Sequence, residues 1–94
     1  MNTPPSEDIE GHRKRLHFRS QYRGMKEMDL LMGRFADHHI GDLDQDQLNH
    51  YEALLDASDL DVWNWVTGKT EAPAEYDTDV LQKIRDFKFH EHNK

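Results

Sequence analysis

Apolar residues in this chain recur at steps of three and four, and no segment alternates apolar with polar in strict succession. That spacing confines the chain to helices, because a half-buried strand repeats every two residues and a helix every 3.6. Met28, Leu31, Met32 and Phe35 show it most cleanly, at i, i+3, i+4 and i+7, with Met25 and Leu30 widening the stripe. Leu48, Tyr51, Leu54 and Leu55 repeat it, as do Leu60, Trp63 and Val66, and then Val80, Leu81, Ile84 and Phe87. A first helix over Glu7 to Gln21 is thinner, with Ile9, Leu16, Phe18 and Tyr22 as its apolar positions.

Punctuation residues set the boundaries. Gly24 reads as a break or a tight helix–helix junction, and the second helix runs from about Met25 to His39, with Gly41 as its closing glycine. Asp44 and Gln47 have the spacing of a capping box opening a third helix, Gln45 to Ala57. Ser58 or Asp59 caps a fourth, Leu60 to Thr67, which Gly68 ends. The last runs from about Ala74 to Phe89. The expected fold is all-α, a small single-domain bundle of about five helices with short connections, over residues 7–90. Residues 1–6 and 91–94 read as flexible tails.

Ninety-four residues bury a modest core, which leaves little room for a deep active-site cavity. There is no cysteine, so disulfides, thiolate chemistry, Fe–S clusters and Cys-based zinc sites are excluded. No apolar run is long enough to cross a membrane, so no membrane insertion is expected. Met1 to Glu10 is acidic and lacks an apolar core, unlike a signal peptide or an Arg-rich mitochondrial presequence. The expected location is therefore a bacterial cytoplasm, with a mature mitochondrial form as the second reading.

The net charge of −7 conceals an asymmetry. His12 to Lys26 holds Arg13, Lys14, Arg15, Arg19, Arg23 and Lys26 and no acid, whereas the body that follows is acidic. The basic run either steers an acidic partner or forms a solvated helix face. The acidic body argues against nucleic acid as a partner.

Catalytic constellations are missing: there is no Ser/His/Asp set, no phosphate loop and no ligand cluster. The seven histidines include no i, i+4 pair of the helical zinc type, so no metal site is expected. Asp42, Asp44 and Asp46 alternate like a calcium loop but lack its glycine and terminal glutamate, so capping explains them better. Trp63 and Trp65 lie two apart and cannot both face the core. Trp63 is taken as the buried one, and Trp65 as partly exposed and a candidate contact.

The segment Arg23-Gly24-Met25-Lys26-Glu27, followed by Met28-Asp29, resembles the Arg-Gly-x-x-Glu hallmark of the SdhE family. These are the bacterial flavinylation factors of succinate dehydrogenase, related to the mitochondrial succinate dehydrogenase assembly factors. The run from Tyr51 to Gly68, with its Leu54-Leu55-Asp56 stretch, Asp-rich cap and Asn64-Trp65, is similar to the family at matching separation. The resemblance covers roughly Leu16 to Phe87. Asp44 stands where relatives often carry Ser or Thr, a physically equivalent cap.

The resemblance implies a five-helix domain that binds the flavoprotein subunit of succinate dehydrogenase, with that of fumarate reductase as a second candidate. It implies that the factor promotes covalent attachment of FAD to a histidine of that subunit by ordering the flavin site. It would do so without catalytic groups of its own and without stably binding a cofactor itself, the FAD being held by the partner. The implied partner-binding residues are Arg23, Gly24, Lys26, Glu27 and Asp29, joined by Trp65. A rival reading is a regulatory or antitoxin-like helical module that neutralises another protein.

Overall fold

The computed structural model describes residues 8–21 and 23–92, so the expectations placed on residues 1–7, Tyr22, Asn93 and Lys94 lie outside the described residues. Five helices follow one another: α1 (Ile9–Ser20), α2 (Lys26–His39), α3 (Gln45–Asp56), α4 (Asp59–Thr67) and α5 (Asp79–His92). Among the described residues there is no strand. α1 packs on α2 and α3, and α5 lies against α2, α3 and α4. Their shared core is filled by Met28, Met32, Phe35, Leu48, Tyr51, Leu54, Val62, Leu81 and Ile84, all essentially solvent-free.

Local chemistry sets most of the helix ends. Asp8 accepts the Gly11 amide at 2.8 Å to open α1. At α3 the capping box is complete: Asp44 Oδ1 accepts from Gln47 N at 2.9 Å, and Gln47 Oε1 accepts from Asp44 N at 3.0 Å. The Gln47 amide also donates to Asp79 Oδ2 at 2.9 Å, tying the start of α3 to the start of α5. Asp79 is held below the usual carboxylate range, chiefly by that hydrogen bond. Ser58 caps α4. Gly68, at φ 79°, ends it in a Schellman motif, with Gly68 N donating to Trp65 O (3.3 Å) and Lys69 N to Asn64 O (2.9 Å).

Three expectations are corrected. α2 does not close on Gly41. It tightens into a single 3-10 turn, Ile40–Asp42, which carries Leu43 into the core. α5 starts at Asp79 rather than Ala74, because Tyr76 stacks on Trp65 with ring centroids 4.9 Å apart and holds the Pro73–Tyr76 turn against α4. The third correction concerns α4, which buries Val62, Trp65 and Val66 instead of Leu60, Trp63 and Val66. Both sets satisfy helical spacing. α5 packs on the first, leaving Leu60 57% exposed.

α1 is attached differently from the rest. Its buried positions His12, Leu16 and Ser20 include only one apolar side chain, and Phe18 points outward. A polar seam compensates. The Ser20 hydroxyl donates to Leu16 O (2.7 Å) and lies 2.6 Å from the Tyr51 hydroxyl, whose pKa burial raises. Gln45 Nε2 lies 2.9 Å from His12 Nδ1 as donor, so His12 Nε2 carries the hydrogen given to Glu52 Oε1 at 2.8 Å. Arg15 donates to Glu52 (2.9 Å) and Arg19 to Asp56 (2.7 Å), while Arg13 reaches Glu10 (2.6 Å) and Leu43 O (2.9 Å). Within the basic run, Arg15 and Arg19 are thus matched inside the molecule by acids of α3, and Arg13 by Glu10. Glu52 consequently sits at a pKa of about 2, lowered first by the Arg15 hydrogen bond, which burial opposes, and further by the His12 hydrogen bond and the two neighbouring charges.

Candidate functional site: the α1–α2 elbow and its groove

Residues 23–25 connect α1 to α2, and they are held from both sides. The Arg23 side chain is only 11% exposed. Its Nε and Nη2 donate to Asp59 Oδ1 at 3.0 and 2.6 Å, and Nη2 also donates to Leu55 O at 2.7 Å. The other Asp59 oxygen accepts the Gly24 amide at 2.9 Å. Asp29, in the first turn of α2, accepts the Arg23 amide through Oδ1, and its own amide donates to Met25 O. One carboxylate at the head of α4 thus grips two consecutive residues of the elbow, while Arg23 satisfies a carbonyl at the end of α3.

Gly24 stands exposed in this clamp. It is not in the left-handed region, which among the described residues holds Gly68 alone. A Cβ at Gly24 would meet only Asp59 Oδ2, at an ordinary contact distance of 3.6 Å. Among the described residues nothing demands a glycine there. Lys26 and Glu27, at the start of α2, are also exposed.

The spacing Arg23 to Glu27 permits an i, i+4 pair, but Arg23 precedes α2 and takes Asp59 instead. Arg23 and Asp29 shape the elbow, and Gly24, Lys26 and Glu27 face outward. Trp65 belongs elsewhere. It is 7% exposed and stacked on Tyr76, and its carbonyl accepts from Arg85 at 3.2 Å. The half-exposed indole is Trp63, the reverse of the expectation, because the buried stripe of α4 is shifted in phase. Asp59 was visible in the sequence only as a cap candidate. Its partner lies 36 residues away, beyond the reach of local pattern.

Beside the elbow lies a concavity of about 370 Å³ lined by Glu27, Leu30, Leu31, Arg34, Trp63, Phe87 and Lys88. Four of these residues, at 27, 30, 31 and 34, form one face of α2, and that spacing was the available sequence signal.

The profile of the family described as flavinator of succinate dehydrogenase matches residues 14–88, which include the elbow, its clamp and the groove. The chain belongs to this family. It is 44% identical over 78 residues to the protein named succinate dehydrogenase assembly factor 2, mitochondrial, of Dictyostelium discoideum, covering 83% of this chain and 55% of that one. It is 35% identical to assembly factor 2-B, mitochondrial, of Drosophila mojavensis (86% and 53% covered) and 34% identical to assembly factor 2, mitochondrial, of Drosophila grimshawi (86% and 56%). The chain spans about half the length of these curated relatives. Their names overturn the expectation of a bacterial cytoplasmic protein and point to mitochondria. They lend no support to the antitoxin-like reading. As a flavinator-family chain, it carries the Arg-Gly-x-x-Glu segment as a clamped elbow with a bare glycine at its apex.

Proposed function

We propose that this chain is an assembly factor that binds the flavoprotein subunit of succinate dehydrogenase and promotes covalent FAD attachment there. The flavoprotein subunit of fumarate reductase is a second candidate client. The observation that carries the reading is Gly24: it is exposed, hydrogen-bonded to Asp59, free among the described residues of any internal need for a glycine, and flanked by the outward-facing Lys26 and Glu27. A surface kept bare in this way admits the close approach of another backbone.

The factor contributes organisation, with no catalytic group of its own. It docks through the elbow and holds the client's flavin site in the arrangement from which the client's own histidine reacts with the FAD. Ordering of that kind lowers a barrier through lost freedom alone. FAD stays with the client throughout, and the purified factor retains no flavin.

The test is covalent flavin on the flavoprotein subunit, read by fluorescence in a denaturing gel. Flavinylation is compared without the factor, with it, and with Gly24→Arg, circular dichroism establishing that the variant is folded. The expected result is strong labelling with the factor alone. Equal labelling in all three would overturn the proposal.

A further inference from the structure

The charged residues of the motif point in different directions. Lys26 and Glu27 are exposed, whereas the Arg23 side chain turns inward and is largely covered. Its planar fork spans from the end of α3 to the head of α4, with Nε and Nη2 on Asp59 Oδ1 and Nη2 also on Leu55 O. The Asp59 side chain is itself only 17% exposed, and its two oxygens have different tasks. Oδ1 accepts from the guanidinium, and Oδ2 accepts the Gly24 amide at 2.9 Å. A single carboxylate therefore links the arginine side chain to the glycine backbone. Turning that carboxylate to follow one partner takes it away from the other. Asp29 completes the hold from α2, where its Oδ1 accepts the Arg23 amide.

We infer that Arg23 is a positioning residue for client docking: it acts through Asp59 to fix the Gly24 backbone and makes no contact with the client itself. This rests on the proposed function and divides the labour of the motif, leaving Gly24, Lys26 and Glu27 to meet the client. The family resemblance places Arg23 among the residues that touch the partner. To reach outward, however, its guanidinium would leave the part-buried Leu55 carbonyl and Asp59 carboxylate without the donor they share. It would also loosen the carboxylate that holds Gly24. Glycine has more backbone freedom to lose than any other residue, and a loose one loses it on docking. A glycine fixed beforehand binds without that loss.

The experiment is a double-mutant cycle on the affinity of the full chain for the purified apo flavoprotein subunit, over wild type, Arg23→Ala, Asp59→Ala and the double variant. Each single variant is expected to weaken binding about tenfold, and the double variant no more than either, because the two side chains act as one unit. Hydrogen exchange at the Gly24 amide, followed by NMR, is a second readout, one that a general loss of stability would not single out. It is expected to speed up about tenfold in both single variants while the amides of Leu48, Tyr51 and Leu54 in α3 stay protected. Circular dichroism verifies each fold. If an alanine variant does not fold, Arg23→Gln and Asp59→Asn carry the same cycle.

A double variant about a hundredfold weaker than wild type, the product of the singles, overturns the inference, because the arginine then has a contact of its own. So does wild-type affinity in Arg23→Ala, or exchange at Gly24 that this variant leaves unchanged. Each of these outcomes leaves the proposed function standing. Failure of the wild-type chain to bind the flavoprotein overturns the proposed function, and this inference with it.

Discussion

Two glycines stand beside helix ends of this molecule, and they differ in what the fold asks of them. Gly68 sits at φ 79°, where any side chain is strained, and closes the last turn of α4 by donating to Trp65 O. Gly24 has no such conformation, and among the described residues an added Cβ would meet only one carboxylate oxygen. The fold needs the first glycine, and among the described residues it makes no such demand at the second. The proposed contact at Gly24 rests on that difference, on an elbow held by the part-buried hydrogen bonds of Arg23 and the exposed one of Gly24 itself.

The strongest way to break this contrast is Gly24→Arg. It is expected to reduce covalent flavin on the client to the level seen without the factor, while the urea midpoint of the isolated chain stays near wild type. Loss of fold in that variant would erase the distinction.

Asp59→Ala comes next. It strands the Arg23 guanidinium and the Gly24 amide, and should cost about 2 kcal/mol in urea unfolding, less than a fully buried pair because both side chains keep some exposure. Flavinylation should fall as well, since the elbow loses its anchor.

Gly68→Ala is the crossed control. It should cost about 1 kcal/mol from the left-handed backbone and leave flavinylation per folded molecule unchanged.

A smaller effect tests the seam that holds α1, the upstream arm of the elbow. With its folded pKa at about 2 against an ordinary 4.5, Glu52 contributes stability that is complete above pH 4.5 and is lost as pH falls through about 2. Glu52→Gln should remove that part of the acid dependence, visible as a flatter plot of urea midpoint against pH below 4.5.

Gly24→Ala is the gentlest probe. The added methyl meets only ordinary contact at 3.6 Å, so stability should change by about 0.5 kcal/mol or less, with a modest fall in client affinity.

Local physics made much of this architecture legible in the sequence. The box at Asp44 and Gln47, the stop at Gly68 and the stripe from Met28 to Phe35 are written in neighbouring residues, and they appear where their spacing places them. Phase was harder to read. In a helix of nine residues, the stripes through Leu60 and through Val62 are equally regular, and only packing on α5 decides between them. That one ambiguity exchanged the roles of Trp63 and Trp65. The site divided along the same line. The outward residues of the elbow follow from its motif, but the inward turn of Arg23 follows from Asp59, which no local pattern connects to it. The fate of the basic run was likewise hidden, because its matching acids belong mainly to a helix whose face is set by apolar burial.

The Asp59 clamp carries a mechanical implication. The residue that grips the elbow lies one helical turn before Trp63, on the same short helix, so the apex of the motif and the far wall of the groove are bolted to a single strut. Elbow and indole, separated in sequence, are thereby spaced by one short helix as the two sides of a single jaw.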